Sequence, residues 1–520
     1  MPKSRAHIQL AQAVVSDTIT VKLPMRVVST GNRKTRTIMN GISRRAFINQ
    51  SAMGFLAAGS LLGRTNGFAE TGGRRKPNIL FIMTDQQHAG MMSCAGNKWL
   101  ETPALDGLAR EGVRFTKAYS PNPYCVPSRT SMATGVMSCR IGADNNALGM
   151  KIKSLPPEVN ANSMGKVMKR AGYDTFYGGK VHMCKSLTPR NSGYDEYFKD
   201  ERNKLPAACL KFIKRKRDKP FFVVASFINP HDICFAHFGR QGKDRHGVLK
   251  LYKKAASLPL EELPPLPDNY AIPENEPAAI EAALSFQKYT PTKAMRKEYG
   301  DKDWRINRWI YNRLTEKVDK NIGTLLAGLK AAGLEENTVI IFTSDHGNMA
   351  GNHRLTSKCI PYEESVGVPL ILKYKGNIPS NKTDSTHLIS IGLDILPTLC
   401  DYAGVKKPEH LLGVSLRPLA EGKRVESWRS YVASENDWFR MIRSRKYKYC
   451  AFSIADRKEL LVDMENDPGE MRNLADDPKF KKVLIEHRKL LADWSKLSGD
   501  KDASKYVRAV RRSPNLRRRS

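Results

Sequence analysis

Three short apolar runs constrain this chain more than anything else in it, because each opens into a polar cluster. "NILFIM" (Asn78–Met83) leads into Thr84-Asp85-Gln86, and "FFVVASF" (Phe221–Phe227) into Ile228-Asn229-Pro230-His231. "TVIIFTS" (Thr338–Ser344) leads into Asp345-His346-Gly347. Runs of this length without polar alternation fit strands buried on both faces, and such strands belong to parallel sheets covered by helices. Helical segments lie between them. In "TPALDGLAREG" Thr102 stands at an N-cap and Pro103 at the first helical position. Ile306, Ile310, Leu314, Val318, Ile322, Leu326 and Leu329 recur at helical spacing and mark one long amphipathic helix ending near Gly333. The alternation predicts an α/β fold with a large, mainly parallel sheet flanked by helices.

The pattern breaks twice. Residues 236–300 contain the Pro-rich "LPLEELPPLPDNYAIPENEP" and read as a surface excursion or the rim of an active site. Beyond Gly404, short strands such as "RMIRSRKYKYCAF" and "ELLVDM" replace the long runs. A main domain over residues 77–404 is therefore expected to precede a smaller α+β domain over 405–505, with 506–520 a solvated basic tail.

Residues 1–76 are set apart as a leader. Arg44-Arg45 precedes an apolar run, Ala52 to Leu62, that is too short to span a bilayer. Gly67-Phe68-Ala69 then offers a cleavage site before Glu70. The segment resembles a twin-arginine export signal, which implies the corresponding export machinery as a partner and a periplasmic or secreted product. The net charge is +34, and the chain stays basic after the leader and tail are set aside. A basic body favours anionic partners such as nucleic acid, anionic lipid or sulfated glycan; charge alone does not choose among them, though no nucleic-acid motif is present. The nine cysteines are scattered without a CxxC pair, so neither a zinc ribbon nor a disulfide scaffold is expected.

Ligand crevices of open α/β sheets lie at the carboxyl ends of the strands. Asp85, Gln86, His231, Asp345 and His346 should therefore converge. Two carboxylates, an amide carbonyl and one imidazole are mainly hard donors, suited to calcium or magnesium rather than zinc. A hard divalent ion beside lysines and arginines is a means of holding a tetrahedral oxyanion ester. Such an ester calls for an oxygen nucleophile, which makes the cysteine of "CVPSRTSMATG" (Cys125–Gly135) informative only if it is not kept as cysteine.

That stretch resembles the signature of the type I sulfatase family, within the alkaline-phosphatase-like superfamily, in which the cysteine of C-x-P-S-R is oxidised to formylglycine by a maturation enzyme. "GYDTFYGGKVHM" resembles the family's second signature, "FINPH" and "TSDHG" its histidine and metal segments, and "SKCIPYEES" the segment that supplies a lysine. "ELLVDMENDPGEMRNLAD" is similar to its closing strand and turn, so the resemblance runs in order from residue 77 to about 475. It implies a smaller C-terminal domain, one calcium ion on Asp85, Gln86, residue 125, Asp345 and His346, and a formylglycine hydrate at 125 as nucleophile. It further implies that Arg129, Lys180 and Lys358 offset charge on the sulfate. His231 would protonate the leaving alcohol, and His182 would take the proton of the second hydroxyl. His353, in "GNHRLTSK", reads as a loop residue outside this set. Gln86 stands where many relatives carry a second aspartate, which keeps a phosphonate monoesterase or phosphodiesterase open. An inactive, sulfated-glycan-binding protein is the third reading.

Overall fold

The computed structural model describes residues 76–285, 290–456 and 459–507. The expected leader, apart from Lys76, and the tail beyond Val507 lie outside the described residues.

The strands of the main sheet are β1 (Asn78–Asp85), β2 (Val113–Tyr119), β3 (Asp174–Gly179), β4 (Glu196–Phe198), β5 (Phe221–Pro230), β6 (Thr338–Ser344), β7 (Gly367–Lys373), β8 (Lys382–Asp384) and β9 (Ile389–Ser390). They lie in the order β4-β3-β5-β1-β6-β7-β2-β8, with β9 also paired to β2. Both pairings of β7, to β6 and to β2, are antiparallel; the others are parallel. The three apolar runs of the sequence are the adjacent central strands β5, β1 and β6.

Alternation along β1 sends its side chains to two cores. Ile79, Phe81 and Met83 pack with Met132 and Ala133 of the Cys125–Thr134 helix and with Ile395, Leu396 and Leu399 of the Ile391–Tyr402 helix. Leu80 and Ile82 pack on the opposite face, against Leu105, Leu108, Val318, Ile322, Leu325 and Leu329. The long helix runs from Asp301 to Ala331, and Leu325 rather than Leu326 continues its buried stripe. Each such aliphatic side chain stabilises by roughly 1.5–3 kcal/mol when fully buried. Thr102 is the N-cap residue of the Pro103–Arg110 helix, as its sequence predicts, but its side chain makes no capping bond. The long helix supplies the cap instead: Asp319 accepts the N–H groups of Ala104 and Leu105 at 3.0 and 2.9 Å.

The C-terminal sheet is an antiparallel meander of β10 (Tyr431–Glu435), β11 (Phe439–Ser444), β12 (Tyr447–Phe452) and β13 (Glu459–Asp463). Ile442, Tyr449 and Leu461 face Leu484, Leu491 and Trp494 of the Lys481–Ser498 helix. Met441, Cys450, Leu460 and Val462 face Ile360, Tyr362 and Val366, so this sheet backs the segment that follows Lys358. All nine cysteines are free of disulfides. Among the described residues no helix is long and apolar enough to cross a membrane.

Candidate active site at the carboxyl ends of the strands

Strand register brings the polar clusters level. Asp85 pairs with Pro230, Thr84 with Ser344, and Gly179 with Ser226, so Lys180, His231 and Asp345 all leave the sheet at one end. The turn after β1 needs a left-handed residue, and Gln86 takes it with φ 70°. Tyr311 holds this turn from the long helix. Its hydroxyl donates to the Gln86 carbonyl at 2.6 Å and accepts the His88 N–H at 3.2 Å.

Cys125 begins a ten-residue helix in which every residue is buried, although four are Ser or Thr and one is Arg. Burial of so polar a helix requires partners for its groups. Ser128 donates to the Asp345 carbonyl at 2.6 Å, a carbonyl that also accepts from Ser120. Arg129 reaches Asp85 with Nη2 (2.9 Å), Asp345 with Nε (2.6 Å), and Ser226 Oγ and the Lys180 carbonyl with Nη1 (2.7 and 3.1 Å). The resemblance has Arg129 offsetting charge on the sulfate. Here all three of its nitrogens are engaged, and both carboxylates it grips are fully buried. It is thus bonded to both members of the acidic pair at once.

The Cys125 sulfur lies 3.0 Å from Lys358 Nζ, 3.2 Å from His346 Nε2, 3.8 Å from Asp85 Oδ1 and 4.0 Å from Lys180 Nζ. Lys180 also pairs with Asp85 Oδ2 at 2.7 Å. Burial and the Asp85 charge push the thiol up, but Lys180, Lys358 and His346 outweigh them and hold it well below the ordinary range. Burial likewise raises the Asp85 carboxyl, and Lys180, His231, Arg129 and Lys358 more than reverse this. Burial together with the neighbouring Asp85 charge pushes Asp345 up to about 6. The two carboxylates thus repel each other across a shared site, the arrangement that a cation relieves.

The donor set fits a metal ion. Lys358 Nζ sits between Gln86 Oε1 (2.9 Å), the Cys125 sulfur and His346 Nε2 (3.2 Å), so a positive charge already stands where these donors converge. His346 Nδ1 donates to the Gly347 carbonyl at 3.0 Å, which turns Nε2 toward the cluster. Asp85, Cys125, Asp345 and His346 each present an atom within 4.8 Å of the others. Gln86 Oε1 adds an oxygen, which the Cys234 thiol also contacts at 3.1 Å.

His231 is partly buried beside this cluster, with Cys125 in hydrogen-bonding reach. Burial and the charges of Lys180 and Lys358 lower its imidazole to about 4. His182, two residues past Lys180, has φ 37° and a buried Nδ1 with no hydrogen-bond partner. It is the one expected catalytic side chain for which no bond to the cluster is seen. Lys358 rides on a contorted segment: Ala350, His353, Arg354, Ser357 and Cys359 all have positive φ. His353, read from sequence as a loop residue, is fully buried and stacks on Tyr362 at 4.1 Å.

Sequence reasoning missed the supports of this segment. Asn269, from the Pro-rich excursion, accepts the His353 N–H at 2.8 Å and donates to Glu364 at 3.0 Å. Lys448 of β12, fully buried, pairs with Glu363 at 2.9 Å and Glu470 at 2.7 Å, and donates to the Pro361 carbonyl at 3.0 Å. A lysine alternating inward on an otherwise apolar strand was the available signal.

A parallel-centred α/β sheet with a buried acidic pair, two lysines and a cysteine-bearing helix at its carboxyl edge defines a hydrolase of the alkaline-phosphatase-like superfamily. Within it, this chain belongs to the sulfatase family and is a sulfuric ester hydrolase. The Sulfatase family model matches residues 77–405, and the model of the N-sulphoglucosamine sulphohydrolase C-terminal region matches 351–496. A Delta 4,5-hexuronate-2-O-sulfatase of Bacteroides thetaiotaomicron is 30% identical over 470 residues, covering 85% of this chain and 93% of the relative. The solved structure of a 2-O GAG sulfatase aligns with TM-score 0.72 at 28% identity, covering 83% of this chain and 94% of that one. The phosphonate monoester hydrolase of Agrobacterium radiobacter shares the fold, with TM-score 0.66 at 22% identity over 81% of this chain and 96% of that one.

Proposed function

We propose that the chain is an exported, formylglycine-dependent sulfatase that releases sulfate from a glycan and binds calcium. The observation that carries it is the single buried cluster in which residue 125 meets Lys358, Lys180, His346 and Asp85. Asp85, Gln86, Asp345, His346 and residue 125 would hold the calcium, which draws charge from sulfate oxygens, while formylglycine supplies a hydrated-aldehyde oxygen as nucleophile. Lys180 and Lys358 bind the sulfate as cations. Arg129 acts through Asp85 and Asp345, keeping both turned toward the site.

The histidines divide the proton transfers. His231 rests neutral under the two lysines; the negative charge of a bound sulfate offsets them and lets the ring carry a proton to the leaving oxygen. His182, with its unpartnered nitrogen, takes a proton from residue 125 once the alcohol has left. The relatives named for 2-O-sulfate and the basic body support a 2-O-sulfated uronate at a chain end as the first substrate to try.

The test is sulfate release by protein co-expressed with a formylglycine-generating enzyme, on 2-O-sulfated unsaturated disaccharides, with an aryl sulfate and an aryl phosphonate monoester alongside. Sulfate release, with formylglycine at position 125 by peptide mass, is expected. Full activity with unmodified Cys125 removes the nucleophile from the proposal. A higher kcat/KM on the phosphonate establishes the second reading, which the neutral Gln86 in place of a second aspartate favours.

A further inference from the structure

In the unconverted chain, residue 125 is a thiol placed inside a donor set that otherwise suits calcium. Its separations from its neighbours are those of one coordination shell. Cys125 Sγ lies 3.2 Å from His346 Nε2 and 3.8 Å from Asp85 Oδ1, and His346 Nε2 lies 3.5 Å from Asp345 Oδ1. Four ligands at the bond lengths of zinc, about 2.3 Å to sulfur and 2.0–2.2 Å to nitrogen and oxygen, stand roughly 3.3–3.6 Å apart at the corners of a tetrahedron. Those three of the six edges agree to within a few tenths of an ångström, all four ligand atoms lie within 4.8 Å of one another, and all four side chains are buried. Calcium does not take thiolate ligands, whereas sulfur with imidazole selects zinc and its thiophilic neighbours.

We infer that the unconverted chain is a four-coordinate site for a thiophilic divalent cation, held by Asp85, Cys125, Asp345 and His346, and that conversion of residue 125 abolishes this preference. Binding forms one metal–sulfur bond from the Cys125 thiolate, and any proton still on the sulfur leaves to solvent. Replacing sulfur by an oxygen-bearing group leaves donors that are oxygen apart from one imidazole, the set that calcium accepts. Maturation of residue 125 then does two things at one position: it creates the nucleophile and removes the ligand that would trap the wrong ion. Lys358 competes for the same place, because its ammonium lies 3.0 Å from the sulfur and 3.2 Å from His346 Nε2. The inference rests on the calcium reading of the converted enzyme for its contrast, but its own readout is spectroscopic and independent of turnover.

The probe is Cd2+, with Co2+ as a geometry reporter, added to folded chain made without the maturation enzyme. One equivalent of Cd2+ should raise a thiolate-to-metal charge-transfer band, and Co2+ should give the intense visible absorption of a tetrahedral site. Calcium in large excess should displace neither. Cys125→Ser should lose the band, whereas Cys234→Ser, which removes the other thiol beside Gln86, should keep it. Lys358→Ala should tighten Cd2+ binding about tenfold or more, as loss of a competing charge at this range allows. Converted protein should show no band, which decides the matter even where Cys125→Ser does not fold. A band that survives Cys125→Ser, no band in the unconverted chain, or stoichiometric displacement by calcium overturns the inference. Absent sulfate release from converted protein would instead fail the sulfatase mechanism and leave this site standing.

Discussion

Arg129→Met is the perturbation that tests most directly how this site is held. The guanidinium joins two carboxylates, Asp85 at 2.9 Å and Asp345 at 2.6 Å, and all three side chains are fully buried. Removing one partner of a buried ion pair costs about 3–5 kcal/mol, because an uncompensated charge is left behind. Two such pairs share one guanidinium, so their costs do not add. Lys180 still reaches Asp85 at 2.7 Å and limits the damage on that side. The expected loss is therefore about 4 kcal/mol. Arg129→Lys keeps the charge but loses the fork that reaches Asp345 and Asp85 together, and should fall between, at about 2 kcal/mol. Urea unfolding, followed by tryptophan fluorescence with chelator present so that no cation substitutes for the guanidinium, measures both. The slope on urea should stay constant while the midpoint falls in the order Arg, Lys, Met. A Met variant within about 1 kcal/mol of the parent would refute the reasoning, since the acidic pair would then be held by something else.

Four further outcomes are expected. Chelation should abolish turnover of the converted enzyme, with calcium restoring it and zinc failing to, as a mainly oxygen donor set requires; undiminished activity in metal-free protein would contradict this. His231→Ala should slow release of alkyl or sugar alcohols by about 10²–10⁴ and activated aryl alcohols far less, whereas His182→Ala should release one alcohol per site and then stop; stopped-flow on a nitrophenyl sulfate separates the two. Asp319, pushed up to about 6 by burial despite the two N–H groups it accepts, favours the folded state most when protonated. Its contribution is full below about pH 4 and is lost as pH rises through 6, so Asp319→Asn should flatten stability over that window by about 3 kcal/mol; an unchanged pH profile would count against it. Arg44 and Arg45 replaced by lysines should strand the protein in the cytoplasm on fractionation, and unaltered export would point to another route.

What the sequence disclosed and what it hid follow from the range of the forces involved. β1, β5 and β6 are legible because burial on both faces leaves a local trace, an unbroken apolar run. Their polar endings are legible for the same reason, since a strand that stops at a site exchanges apolar residues for Asp, Gln and His at one step. β7 is also an apolar run, "GVPLILK", yet nothing in it states that it lies antiparallel between β6 and β2. The Cys125–Thr134 helix carries almost no amphipathic signal, because its Ser128 and Arg129 are as buried as its Val126. This stretch is legible through its motif, not as a helix through its pattern. The supports of Lys358 are hidden more deeply. Asn269, His353, Glu363, Lys448 and Glu470 come from separate parts of the chain, and each alone passes for a surface polar residue. Their burial is tolerable only together: Lys448 without Glu363 and Glu470 would be an unpaired interior charge. Such a group leaves no periodic mark, since its partners are chosen by the fold. It also explains why a segment with five non-glycine residues at positive φ persists, for that strain needs surroundings that allow no alternative. The C-terminal sheet thus buttresses the candidate site from outside it, because through Lys448 it holds Pro361 and Glu363, just beyond Lys358.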